Sequence, residues 1–159
     1  MSRTFIVLGI AVTMFLAACS PQVVRIDRTE GLALECLWTT TSRDRIAYYT
    51  VASDGMFRSA GGALASDRGT NFAIALSDDD VALFVKLTRA TDFTTREEPT
   101  TETGDRTNIR VRHAGDWHEF TVFGADPSVD ALRTWCASVS LRQFNDIIQA
   151  QPQAGPRTR

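Results

Sequence analysis

Lysine is almost missing from this chain: Lys86 stands alone against 16 arginines. Histidine occurs twice and cysteine three times. No HExxH, GxSxG, Walker loop or GxGxxG is present, so the familiar zinc-hydrolase, nucleophile-elbow and nucleotide-cradle sites are excluded. No CxxC is present either, which removes the usual redox and zinc-ribbon patterns. The apolar run at the start is roughly 14 residues, short of the ~20 that cross a bilayer as a helix. The 17 basic and 19 acidic residues nearly cancel, leaving no basic footprint for nucleic acid. The arginine excess reads as a composition bias. The sequence therefore predicts no enzyme, no cofactor and no resident metal. With 43% hydrophobic residues it does predict a folded core.

What is present begins with an address. Ser2-Arg3 is a short basic start, Phe5 to Ala18 is apolar, and small residues follow at Ala17-Ala18-Cys19. That order is a secretory signal. Leu16-Ala17-Ala18-Cys19 resembles the lipobox of bacterial lipoprotein precursors, and all four positions match. The resemblance implies a diacylglyceryl group on Cys19, cleavage before it, and acylation of the new N-terminus. Two or three acyl chains would hold the protein on a membrane, since each buried methylene contributes about 0.8 kcal/mol and one chain binds marginally. Ser20 follows the cysteine, where inner-membrane retention in this family uses Asp. The resemblance thus implies an outer membrane facing the periplasm, in an organism that has one. Loss of residues 1–18 removes Arg3 and leaves 141 residues with a formal charge of −3.

The remaining cysteines are Cys36 and Cys136. In an oxidising compartment such a pair tends to close. A bridge would staple the first strand to the last helix, and for a loop near 100 residues the chain-entropy limit is ~4.7 kcal/mol. The alternatives are two buried free thiols or, third, a reactive or metal-binding pair.

Residues 19–30 are polar and read as a lipidated tether, 31–149 as one domain, and 150–159 as a frayed tail. Leu32, Leu34, Cys36 and Trp38 share one face of a first strand by period two. Arg45 to Ser53 reads as the second strand, Asp54-Gly55 as a hairpin turn, and Met56 to Ser59 as its return. Gly61-Gly62 and Asp67-Arg68-Gly69 bracket a flexible segment. Thr70 to Leu76 reads as another strand. Ser77 followed by Asp78-Asp79-Asp80 is a helix start with a capping-box spacing, and the helix runs to about Ala90. The same acids suggest a cation site, but the alternating ligands and glycine of a calcium loop are missing. Asp92 to Thr107 reads as a solvated loop, with a mobile binding loop as the alternative.

Thr107 to Gly124 reads as a second hairpin turning at Ala114-Gly115. That register puts Ile109, Val111, Phe120 and Val122 on one face. It also sets Arg110 opposite Glu119 and Arg112 opposite Trp117, a charge pair and a cation–π pair. Asp126-Pro127-Ser128 opens the last helix, whose apolar side holds Val129, Leu132, Cys136, Val139, Leu141, Phe144, Ile147 and Ile148. The fold class expected is α+β: an antiparallel sheet of about five to six strands with two helices on one face. From Asp54-Gly55 through the acid-capped helix to Phe93, the second hairpin and the final helix, the chain resembles an uncharacterised bacterial envelope domain family. Members often carry Cys-Gly-x-Cys-Pro before the first hairpin, where this chain has Glu35-Cys36-Leu37-Trp38-Thr39.

Two side-chain groups could carry chemistry. His113, Asp116 and His118 flank the second turn and point to one face, so a metal or acid–base site can be drawn; a solvated turn is the plainer reading. Trp38, Tyr48, Tyr49, Trp117 and Trp135 could line a ligand site or fill a core. Three functions follow. The first is a membrane-anchored, non-catalytic envelope module that binds or helps assemble a protein partner. The second is a small-molecule or glycan-binding lipoprotein. The third is a hydrolase with an unfamiliar site.

Overall fold

The computed structural model describes residues 26–149 except 98 and 100, without the side chains of 143, 144, 146 and 147. The signal, the lipobox with Cys19, most of the tether, the tail, and the Phe144 and Ile147 side chains lie outside the described residues. The elements run β1 (Ala33–Thr39), β2 (Ile46–Val51), β3 (Met56–Gly61), α1 (Gly62–Ser66), β4 (Phe72–Ala75), α2 (Asp78–Arg89), β5 (Arg106–His113), β6 (Asp116–Phe123) and α3 (Pro127–Gln149). The strands form one antiparallel sheet in the order β4-β3-β2-β1-β5-β6, so the architecture is α+β.

Strand alternation divides the sheet into two faces. Leu34 and Cys36 of β1, Tyr49 and Val51 of β2, Phe57 of β3, and Ile109, Val111 and Phe120 of the β5–β6 hairpin share one parity. They form a single buried cluster with Val81, Phe84 and Val85 of α2 and Val129, Leu132, Trp135, Cys136 and Val139 of α3. That shared core fits two helices on one face. A run of rings crosses it: Phe84 meets Trp135 at 5.7 Å, Trp135 meets Phe57 at 6.1 Å, and Phe57 meets Tyr49 at 6.1 Å. The rings join α2, α3, β3 and β2 through the tilted and edge-on contacts that aromatic quadrupoles favour.

The β5–β6 hairpin has the register expected, with Ile109 opposite Phe120, Val111 opposite His118 and His113 opposite Asp116. Ala114 and Gly115 turn it at φ 52° and 99°, the paired positive φ of a type I′ turn. One contact differs from expectation. Trp117 lies under Arg110, with the guanidinium 4.7 Å from the ring centroid, rather than under Arg112. Arg112 is the direct cross-strand neighbour, but long side chains also reach the diagonal position.

The segment expected to be flexible between β3 and β4 contains helix α1. Its Ala65 is fully buried and packs with Tyr48 and Ala60, residues of the opposite parity to the main core. Contacts with the sheet also begin before β1. The Arg28 amide donates to the Ser53 carbonyl, and the buried Thr29 hydroxyl donates to the Leu32 carbonyl.

Both long helices start on carboxylates. The Ser77 hydroxyl accepts from the Asp80 amide at 3.2 Å and donates to its carboxylate at 2.7 Å, a reciprocal cap. At α3 one oxygen of Asp126 accepts from the amides of Ser128 and Val129, while the other pairs with Arg96. Asp80 also accepts from Arg142 of α3 at 2.7 Å, which ties the two helices together. Burial works against ionising Asp80, but the Arg142 and Ser77 hydrogen bonds outweigh it and hold its pKa below the ordinary value. A lowered folded pKa gives stability that is present above the unfolded value of ~3.9 and lost as pH falls through the folded one. Asp80→Asn keeps the shape and removes the charge. It should cost about 1 kcal/mol in urea unfolding at pH 7. The difference from the unaltered protein should close as the pH drops below that carboxylate range.

Candidate functional site

With α2 and α3 drawn to one parity, α1 is the only helix on the other face of the sheet among the described residues. Glu35 of β1, Arg58 of β3, Asn108, Arg110 and Arg112 of β5, and Trp117, Glu119 and Thr121 of β6 all belong to it by register. A polar network ties its centre together. Glu35 accepts from Arg110 at 2.8 Å and from Arg68, just after α1, at 3.4 Å. Arg110 also faces Glu119 at 3.4 Å and stacks on Trp117. Asn108 donates to Thr121 at 3.1 Å and accepts from Arg68. The network lies on the middle strands because β1 pairs with β5 on one side and β2 on the other.

The face is unbalanced in charge. Its strands contribute Arg58, Arg106, Arg110 and Arg112 against Glu35 and Glu119, while the whole chain carries −2. Among the described residues Arg58 and Arg112 make no close ion pair, though the charge of Arg112 helps to lower the pKa of Asp27.

Where this face meets the loop before β5 it deepens into a groove of about 1020 Å³. Thr40, Arg43, Asn108, Thr121 and Phe123 line it, with Pro99 and Glu102 from the loop. Gly104, at φ 98°, lets the loop close on Gly124: a Cβ there would stand 2.7 Å from the Gly124 Cα. Arg106 stacks on Phe123 at 5.9 Å along the floor. Hydroxyls, an amide and two guanidiniums, with the carboxylates of Glu102 and Glu119, can hold a polar group here. Two of the lining hydroxyls already donate to carboxylates, Thr40 to Asp44 at 2.7 Å and Thr41 to Asp105 at 3.3 Å.

The residues singled out in sequence are dispersed. Phe93 lies against both imidazoles, 5.7 Å from His113 and 5.5 Å from His118. Aromatic packing therefore explains the histidines, and among the described residues no three His, Cys, Asp or Glu side chains are placed to hold a metal ion. Of the five aromatics, Tyr49 and Trp135 belong to the main core and Tyr48 lies under α1. Trp38 lies under Arg133, and only Trp117, 42% exposed, is open to solvent. None of the five lines the groove.

Cys36 and Cys136 are free thiols in this structure, both fully buried in the main core, so the bridge expected between them is not formed here. Burial pushes Cys36 up to about 12. It also raises Cys136, with the nearby Cys36 adding to the effect. A thiol that resists ionising is a poor nucleophile, which argues against a reactive pair. The residues that sequence reading missed are Glu35, Arg68 and Asn108. Only the sheet order could have revealed them.

A scan against protein-family models finds no match, and a search of curated proteins finds no relative.

The network should be measurable as coupling. In urea unfolding, Glu35→Ala and Arg110→Ala, alone and combined, should give a coupling energy of about 1 kcal/mol. The more exposed and longer Glu35–Arg68 pair should give less, in the ~0–0.5 kcal/mol range of surface pairs.

Proposed function

We propose that this protein is a lipid-anchored, non-catalytic module of the bacterial cell envelope that docks a protein partner on the open face of its sheet. The observation carrying this reading is the arginine surplus on a face that no long helix covers. Guanidiniums present planar, paired donors suited to carboxylates. A partner segment bearing acidic side chains matches that chemistry, and interface cores favour Arg and aromatic residues such as Trp117. The anchor rests on Leu16-Ala17-Ala18-Cys19. It would confine the face to a membrane surface, where a weak interface gains from high local concentration. The envelope domain family resembled in sequence is compatible with such an accessory role.

The groove favours a second reading, a lipoprotein that binds a small polar molecule or glycan. Its volume falls in the size range of ligand pockets, but its lining is more polar than most.

In producing cells, the intact protein should sediment with membranes and yield an acylated N-terminal peptide beginning at Cys19. Crosslinking should recover a discrete envelope protein. Cys19→Ala should abolish acylation and recovery together. The charge reversals Arg58→Glu and Arg112→Glu should abolish recovery alone, with the circular dichroism melt unchanged. A partner still captured by both reversals would move the interface off this face. A glycan that protects the groove without any protein partner would favour the second reading.

Export would also bring the neighbouring thiols of Cys36 and Cys136 into an oxidising compartment. A bridge between them forms when an oxidised disulfide catalyst takes both hydrogens, so the intact mass of protein from the envelope should be lower by two hydrogens. The same chain made in a reducing cytoplasm should keep both thiols and resist alkylation until denatured.

A further inference from the structure

Among the described residues the outer edge of β6 is long, regular and paired with no other strand. β6 has eight residues, pairs with β5 without a break from His113–Asp116 to Arg106–Phe123, and is the last strand of the sheet. It contains no lysine, proline or bulge, three of the devices that blunt an edge, and its only charged residues are Asp116 and Glu119. The opposite edge is blunted by length, since β4 has four residues.

The turn fixes which backbone groups are free. In a two-residue hairpin the residues flanking the turn exchange both hydrogen bonds, and the pattern then alternates. The Gly124 amide donating to the Asp105 carbonyl at 2.8 Å continues that phase beyond the strand end. The even-numbered residues of β6 therefore bond to β5. The amides and carbonyls of Trp117, Glu119, Thr121 and Phe123 point outward. Among the described residues they have no hydrogen-bond partner.

We infer that a second copy of this chain pairs antiparallel on this edge, about a two-fold axis normal to the sheet at Phe120. Such an axis keeps equivalent side chains on the same face. It allows only registers that set odd residues opposite odd residues. With the axis at Phe120, all four outward residues of each strand find a partner: Trp117 opposite the second copy's Phe123, and Glu119 opposite its Thr121. An axis at Glu119 would oppose two like charges, which is destabilising. An axis at Thr121 would carry Trp117 past the end of the partner strand. The chosen register also sets two aromatic pairs on the open face, each beside a guanidinium, because Arg110 stacks on Trp117 and Arg106 on Phe123. Closed two-fold pairing is the commonest route to a dimer and leaves β4 as the only kind of edge at both ends. The two arginine faces would lie side by side on one surface.

The test uses the intact chain, extracted in mild detergent. Light scattering corrected for detergent should give two copies per particle. Thr121→Pro removes one outward amide while leaving the β5 ladder intact, because proline is tolerated where an edge amide faces solvent. It should give one copy per particle with an unchanged circular dichroism spectrum. Independently of that variant's folding, Glu119→Cys/Thr121→Cys should form a covalent dimer in membranes under mild oxidation, since those positions face each other across the pair. One copy per particle for the unaltered protein overturns the inference. So does a dimer that survives Thr121→Pro, or the absence of a covalent dimer. A different protein that covers the edge, is lost with Thr121→Pro and leaves no dimer would assign the edge to that partner instead.

Discussion

The position of β1 between β2 and β5 constrains everything else. Its alternation drives Leu34 and Cys36 into a core shared by two helices and turns Glu35 and Leu37 the other way. The hydrophobic term sets the sidedness, because each fully buried aliphatic or aromatic side chain contributes about 1.5–3 kcal/mol. Once that face is chosen, a slip of one residue in β1 would put Glu35 in the core and Cys36 beside Arg110. The charge network on the open face is thus a consequence of the core and also a guard on its register. Glu35 can meet Arg110 and Arg68 only when Cys36 lies inside.

Local features were legible in the sequence where two independent signals coincided. The β5–β6 hairpin was readable to the residue pair, because apolar alternation in both strands agreed with a turn at Ala114-Gly115. The start of α2 was readable because the Ser77 cap and the Asp80 position agreed with the apolar period that follows. Helix α1 was not: five residues, Gly62–Ser66, give no period and carry no side-chain cap. The open face was not legible either. Glu35, Arg68 and Arg110 are far apart in the chain and meet only through the strand order. The packing of His113 and His118 on Phe93 was hidden on a similar ground. Phe93 ends the α2 region at a distance from the hairpin, and no local pattern announces that it packs against both imidazoles.

The two cysteines show how burial and compartment divide a question between them. In a core of Tyr49, Phe57, Trp135 and the aliphatics around them, a thiol behaves as a small apolar side chain, and its raised pKa follows from the cost of a buried anion. Neither thiol would act as a nucleophile there. A bridge would leave the packing in place and constrain the unfolded chain instead. Under the proposed export an oxidising compartment would favour the bridge, and a reducing one the thiols. That places the pair on the side of stability rather than chemistry.

On the proposed function, the anchor, the open face and the β6 edge bear on one physical problem, how a small domain forms a specific contact. A face of arginines is attractive to acids but poorly selective, because exposed charges are screened within about 8–10 Å at physiological salt. Selectivity has to come from shape, from aromatic anchors such as Trp117, and from the number of contacts made at once. Edge pairing about Phe120 supplies that number. It doubles the arginine face without a new binding residue and presents two equivalent surfaces in a fixed relation. A partner with two acidic segments at the matching separation would then gain from effective concentration, while a single segment would not. On this argument the strand edge is what would turn a generic cationic surface into a selective one.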